Sequence, residues 1–151
     1  MLKTAKLAGK SRPRLTVPSG EIIIKQTPYY KKEVFVLVRR DHIVEVNERL
    51  RGGDGTVVME KWMKPEEFRG HGRLFSMATI KPKSSIGWHQ HEGEFEVYYV
   101  LEGNGIFVDN DRSRTPVGPG DVTIINVGES HAIENTSESE DLKIICLIIN
   151  E

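Results

Sequence analysis

His89, His91, Glu96 and His131 are the residues of this sequence best suited to hold a metal ion. His89 and His91 are separated by one residue. Side chains two apart on a β-strand leave the same face, so both imidazoles can reach one cation. Glu96 offers a hard oxygen ligand close by, and His131 lies in a second glycine-bounded segment where a third imidazole can join. Three neutral nitrogens and one carboxylate suit a divalent transition ion such as Mn, Fe, Co, Ni or Zn, and availability rather than sequence decides among them. An octahedral ion held by four such groups keeps two positions open for water or a small organic ligand.

The elements that would position these residues follow from their phase. Glu96 stands seven positions after His89, so an unbroken strand would aim it at the opposite face. The Glu-Gly-Glu at 92–94 is therefore expected to turn the chain into a hairpin whose second strand returns Glu96 to the imidazoles. Tyr98 and Val100 would share the inward face of that strand, and Gly103 would end it. More widely, apolar, β-branched or aromatic runs occur at 21–25, 33–38, 43–46, 56–63, 73–81, 95–101, 105–109, 121–126, 131–134 and 142–149. Between them fall turn clusters such as Gly52-Gly53-Asp54-Gly55, Glu102-Gly103-Asn104-Gly105 and Gly118-Pro119-Gly120. This spacing predicts an all-β, antiparallel sandwich or barrel. The one helical candidate is a single turn at 64–68, with Pro65 near its start.

At 151 residues the chain is long enough for one domain with a real core. Charged residues make up 28%, hydrophobic ones 38%, and the formal charge is −1, a balance that excludes collagen-like and disordered classes. No apolar run approaches the roughly 20 residues a spanning helix needs, so a soluble protein without a membrane partner is expected. Cys146 is the only cysteine and sits in an apolar run, which predicts a buried, inert thiol and fits a reducing, cytoplasmic setting. Residues 1–40 carry ten Lys/Arg against two acids, whereas 41–151 carry eleven against twenty. The first segment reads as a basic N-terminal extension, with one or two added strands, and 41–151 as the barrel domain. The acidic body argues against a nucleic-acid partner.

Other residues carry less. Arg73, Phe75 and Met77 alternate on a strand expected to line the barrel, and an inward Arg73 would offer a fork to a carboxylate. Tyr98 is inward by phase and able to hydrogen-bond a ligand. Arg73 and Tyr98 are therefore the candidate substrate-binding residues. Glu92 and Glu94 flank the turn beside the metal ligands and could serve as a base. His42 and His71 read as solvated, and Gly52–Gly55 as a plain turn without the spacing of a phosphate loop. The apolar run 142–149 must be either central in a sheet or an edge covered by a second subunit, which motivates a homodimer.

Two motifs tie these readings to a known family. Gly87-Trp88-His89-Gln90-His91, with Glu96 and Gly103, resembles the first cupin motif. Gly120, Gly128, His131 and Asn135 resemble the second, with Asn126 where a proline is usual, a change that bears on the stiffness of the turn. The resemblance implies a small double-sheet β-barrel, often dimeric, with His89, His91, Glu96 and His131 as ligands to an ion inside its mouth. It also implies that a small oxygen-rich, carboxylate-bearing molecule is bound or transformed there. The alternatives are a non-catalytic binding or sensing module, an oxalate-decarboxylase-like enzyme or dioxygenase, and an ion that only braces the barrel. The segment Glu134-Asn135-Thr136-Ser137 resembles a catalytic lid, but it lies at the end of the second motif, where none is expected.

Overall fold

The computed structural model describes residues 38–151. Residues 1–37, which hold most of the basic segment 1–40, the strand expected at 21–25 and all but the last residue of that expected at 33–38, lie outside the described residues. Ten strands follow: β1 (Ile43–Glu48), β2 (Thr56–Lys61), β3 (Gly72–Ile80), β4 (Ser85–Gln90), β5 (Glu94–Glu102), β6 (Gly105–Val108), β7 (Arg114–Val117), β8 (Val122–Ile125), β9 (Ser130–Glu134) and β10 (Leu142–Asn150). They form two antiparallel sheets, one ordered β1-β2-β3-β10-β5-β8 and the other β4-β9-β6-β7. The expected all-β double sheet is what the chain builds. Among the described residues no helix is long and apolar enough to cross a membrane.

The inward rows of the two sheets meet in one core. On β10 burial alternates, with Leu142, Ile144, Cys146 and Ile148 at 3% exposure or less. Leu142, Ile144 and Cys146 pack with Val57, Ala78, Ile80, Val100, Ile133 and Phe107. The β10 run is central, paired to β3 on one side and β5 on the other, so the sheet itself covers it and it gives no reason for a second subunit. The edges of the six-stranded sheet are β1 and β8.

Three local expectations change. Residues 92–94 do turn the chain, with Gly93 at φ +67, but β4 and β5 are not a hairpin. β4 pairs with β9 while β5 pairs with β10 and β8, so the turn carries the chain from one sheet to the other. On β3 the inward row is Leu74, Ser76, Ala78 and Ile80, and Phe75 turns away to meet Trp62 edge-on at 4.9 Å. β7 has no counterpart among the expected strands because Pro116 interrupts its signal; it is tolerated because β7 is the edge of the smaller sheet. The helical candidate forms one 3-10 turn, Pro65–Phe68, in which Glu67 Oε2 accepts the Lys64 amide at 2.7 Å.

Candidate metal centre

The smaller sheet supplies two of the imidazoles. His89 on β4 and His131 on β9 are direct cross-strand partners. Their facing position depends on a bulge: Ile86 pairs with Ile133 and His89 with His131, so Gly87 and Trp88 sit against Ala132 alone. The extra residue lets Ile86 and His89, three apart, both turn inward. His91 follows β4, and its main chain is clasped by the loop of the second motif. Its amide donates to Glu129 O at 3.0 Å and its carbonyl accepts the Gly128 amide at 2.6 Å. Glu96 comes from the opposite sheet, on β5, in an inward row with Tyr98 and Val100 as its phase predicts. Gly103, at φ +78, ends the strand where a Cβ would come within 2.3 Å of Asp141 O.

The four side chains converge, with ligand atoms all within 4.8 Å of one another. His91 Nε2 lies 3.2 Å from His89 Nε2 and 3.1 Å from His131 Nε2. Glu96 Oε2 is 3.0 Å from His131 Nε2, 3.2 Å from His91 Nε2 and 3.8 Å from His89 Nε2. Adjacent ligands of an octahedral ion with bonds of about 2.1 Å would be about 3.0 Å apart, close to the shorter of these spacings.

Protonation makes the same point. His89 Nδ1 meets the Gly87 carbonyl at 2.8 Å and His91 Nδ1 meets Glu94 Oε1 at 3.1 Å. Both partners only accept, so each Nδ1 carries the proton, which leaves each Nε2 as the nitrogen able to turn a lone pair to the shared point. Glu96 Oε2 is buried there with no hydrogen-bond donor. Lone pairs and a carboxylate oxygen so arranged repel one another unless a cation lies between them, and the donor set fits a divalent transition ion. Burial lowers His131, keeping its ring neutral, and Tyr98 stacks on that ring at 4.9 Å and 25°.

His91 and His131 are enclosed, whereas His89 and Glu96 border a cavity of about 280 Å³. Both candidate ligand-contacting residues line it. Tyr98 is buried, and burial followed by the Glu96 charge raises its hydroxyl well above the usual range, so it stays a proton donor. Arg73 reaches the wall because the β3–β10 register slips beside it, pairing Gly72 with Ile149 and Leu74 with Ile148. Its guanidinium is engaged by Glu94, with Nε donating to Oε2 at 2.6 Å. Arg73, Glu94 and His91 thus form a chain of contacts behind one imidazole, and Glu94 is held there rather than free as a base.

Two cavity residues carried no sequence signal. Arg51 and Lys61 line the wall, Arg51 from the turn read only as glycine-rich. Neither neighbours a ligand in sequence, and only the docking of β2 and the turn against β4 brings them in. His42 and His71 are exposed, as expected. Cys146 is buried, and burial pushes its thiol well up. Glu134 pairs with Arg114, and Asn135 turns its amide to the carbonyls of Ile80 at 2.9 Å and Glu140 at 2.8 Å, so this segment clips loops together and forms no lid. Asn126, standing where a proline is usual, stiffens its turn differently: its amide and Nδ2 both donate to Glu129 Oε2, at 2.9 and 3.0 Å.

This double sheet, with three imidazoles and a carboxylate between its layers, is the architecture of the cupins, and the cupin domain pattern matches residues 76–148. The chain is 42% identical over 120 residues to a protein of Thermotoga maritima named oxalate-binding protein, covering 79% of this chain and 98% of that one. A Thermotoga maritima crystal structure described as a predicted oxalate decarboxylase matches at 40% identity and a TM-score of 0.71, covering 78% of this chain and all of that one. A polyketide cyclase from Streptomyces resistomycificus matches at 25% identity and a TM-score of 0.58, covering 76% and 80%. The chain belongs to the cupin superfamily.

Proposed function

We propose that this protein binds a small dicarboxylate of the oxalate class through a divalent transition ion held by His89, His91, Glu96 and His131. The observation that carries the reading is the placement of His89 and Glu96 on the cavity wall, with His91 and His131 enclosed behind them. Four protein ligands leave positions open toward that cavity. One carboxylate against a divalent ion leaves net positive charge, which attracts an anion. When bound, the ion would supply Lewis acidity to the ligand's oxygens. The chain's own residues supply the rest: Tyr98 keeps a hydroxyl donor on the wall, and Arg73 adds positive charge while bracing Glu94 behind His91. The name and 42% identity of the Thermotoga oxalate-binding protein support the ligand class.

The proposal includes a second copy of the chain. β8 is an edge strand carrying Val122 and Ile124 at 56% and 58% exposure, beside the exposed Tyr99 and Leu101 on β5. Light scattering showing only monomer at micromolar concentration removes it. A single buried thiol supports a cytoplasmic setting.

The ligand reading is tested by titrating oxalate into Mn(II)-loaded protein by calorimetry, with metal content measured in parallel and formate and carbon dioxide followed to detect turnover. Binding should be stoichiometric with the metal and should disappear in His91→Ala and after chelation. Equal metal content in wild type and His91→Ala, or no oxalate binding by loaded protein, refutes it. Formate release would instead make the protein a decarboxylase.

A further inference from the structure

Three cations line the cavity beside His89 and Glu96, and they are not equivalent. Lys61 is held by Glu45 at 2.7 Å, and Arg73 is engaged through Nε and one terminal nitrogen by Glu94. Arg51 has no carboxylate partner among the described residues. Its backbone is unusual as well, at φ 55 and ψ 28, in the left-handed region that residues other than glycine and asparagine seldom occupy. The turn that imposes this is closed by the Arg49 amide donating to Gly55 O at 2.8 Å and the Gly52 amide to Arg49 O at 2.9 Å.

That turn is fastened to the strand carrying His89. Asp54 and Ser85 exchange two bonds of 2.8 Å, the Asp54 amide to Ser85 Oγ and the Ser85 amide to Asp54 O. The Thr56 amide donates to Ser84 Oγ at 2.9 Å. At the crossing the two backbones nearly touch: a Cβ on Gly87 would come within 2.4 Å of Arg51 O and of Gly53 N. Gly87 is also the residue whose carbonyl faces His89 Nδ1. One glycine therefore orients a candidate metal ligand and seats the main chain of Arg51.

We propose that Arg51 is the specificity residue of the site, an arginine whose main chain is fixed beside the cavity and whose guanidinium takes the outward oxygens of a metal-held dicarboxylate, so that dianions are preferred over monoanionic chelators. The inference rests on the dicarboxylate reading above. A guanidinium presents paired donors that match a carboxylate, which makes it better suited than the already engaged Lys61 or Arg73. The cavity has room for this: about 280 Å³ is roughly nine times the 30 Å³ share of one water, more than a two-carbon diacid fills.

The experiment compares wild type, Arg51→Asn and Arg69→Asn, all Mn(II)-loaded, in calorimetric titrations with oxalate and with glycolate, a monoanionic chelator. Asparagine tolerates the left-handed backbone at both positions. Arg69 has the same conformation, φ 53, and is exposed but away from the cavity, so it controls for charge and backbone. Arg51→Asn should keep full metal content, lose about tenfold or more in oxalate affinity, and leave glycolate within about twofold; Arg69→Asn should match wild type. Unchanged oxalate affinity in Arg51→Asn makes Arg51 a solvated surface residue and overturns the inference while leaving the dicarboxylate reading intact. So does an equal loss in Arg69→Asn, which would signal bulk charge, or a loss of metal in Arg51→Asn. If loaded wild type binds no oxalate, the dicarboxylate reading fails and the inference fails with it.

Discussion

The same strands build two unlike ends of the barrel interior. At one end, the row across β3, β10 and β5 runs Ala78, Ile144, Val100, followed by Ile80 and Leu142, all at 0% exposure. Two residues along, the row is Ser76, Cys146, Tyr98, and two further it is Leu74, Ile148, Glu96. The smaller sheet changes in the same direction, from Ile86, Ile133 and Phe107 to His89 and His131. The apolar end gains from removing hydrocarbon from water. The polar end gathers buried donors that repel one another without a shared cation. Burial is therefore a stabilising device at one end and a liability at the other, with the apolar end supporting the site.

Changes at either end should separate the two roles. The largest effect is expected from Ile144→Ala, which empties the middle of the apolar row and should cost about 2–5 kcal/mol in chemical denaturation. Metal content per folded chain should be unchanged, and a loss of metal below the unfolding transition would show that the ends are not separable. Glu94→Ala is the converse. Without the carboxylate behind His91 Nδ1, metal affinity should fall about 10- to 100-fold in a competition titration with a chelator, while the unfolding of metal-free protein changes little. An unchanged affinity would reduce the Arg73, Glu94 and His91 chain to surface packing.

The smallest effect tests a charge pair remote from both ends. The Arg39 guanidinium and then the Lys64 amide hold the half-buried Glu67 carboxyl down, to about 2. Its folded pKa lies below the ordinary 4.5, so the pair's contribution is present above 4.5 and is lost as pH falls toward 2. Glu67→Gln should flatten that part of the melting-temperature profile slightly and leave the neutral region and metal content unaltered. A variant profile parallel to wild type would show that the pair contributes nothing.

Much of the site was readable because its signals are local. The His89–His91 spacing, the need for a turn before Glu96, and the inward row Glu96, Tyr98, Val100 all follow from a period of two residues, and the structure keeps each of them. The same rule misjudged Phe75 and Met77. Alternation gives two faces without saying which is inside, and the shifted register at Arg73 lets it line the cavity although Leu74 and Ser76 form the inward row.

The amino-acid order by itself determined an all-β chain, the four donors and the two motifs that contain them, since residue type and short spacing need no partner to be recognised. Only the tertiary structure decided which strand pairs with which. It placed β10 in the middle of its sheet, sent β5 to the sheet facing β4, bulged Gly87 and Trp88 so that His89 turns inward, and set Arg51 on the cavity wall. Those outcomes depend on hydrogen-bond partners tens of residues away, whose choice is made by how the whole core packs and not by any local period.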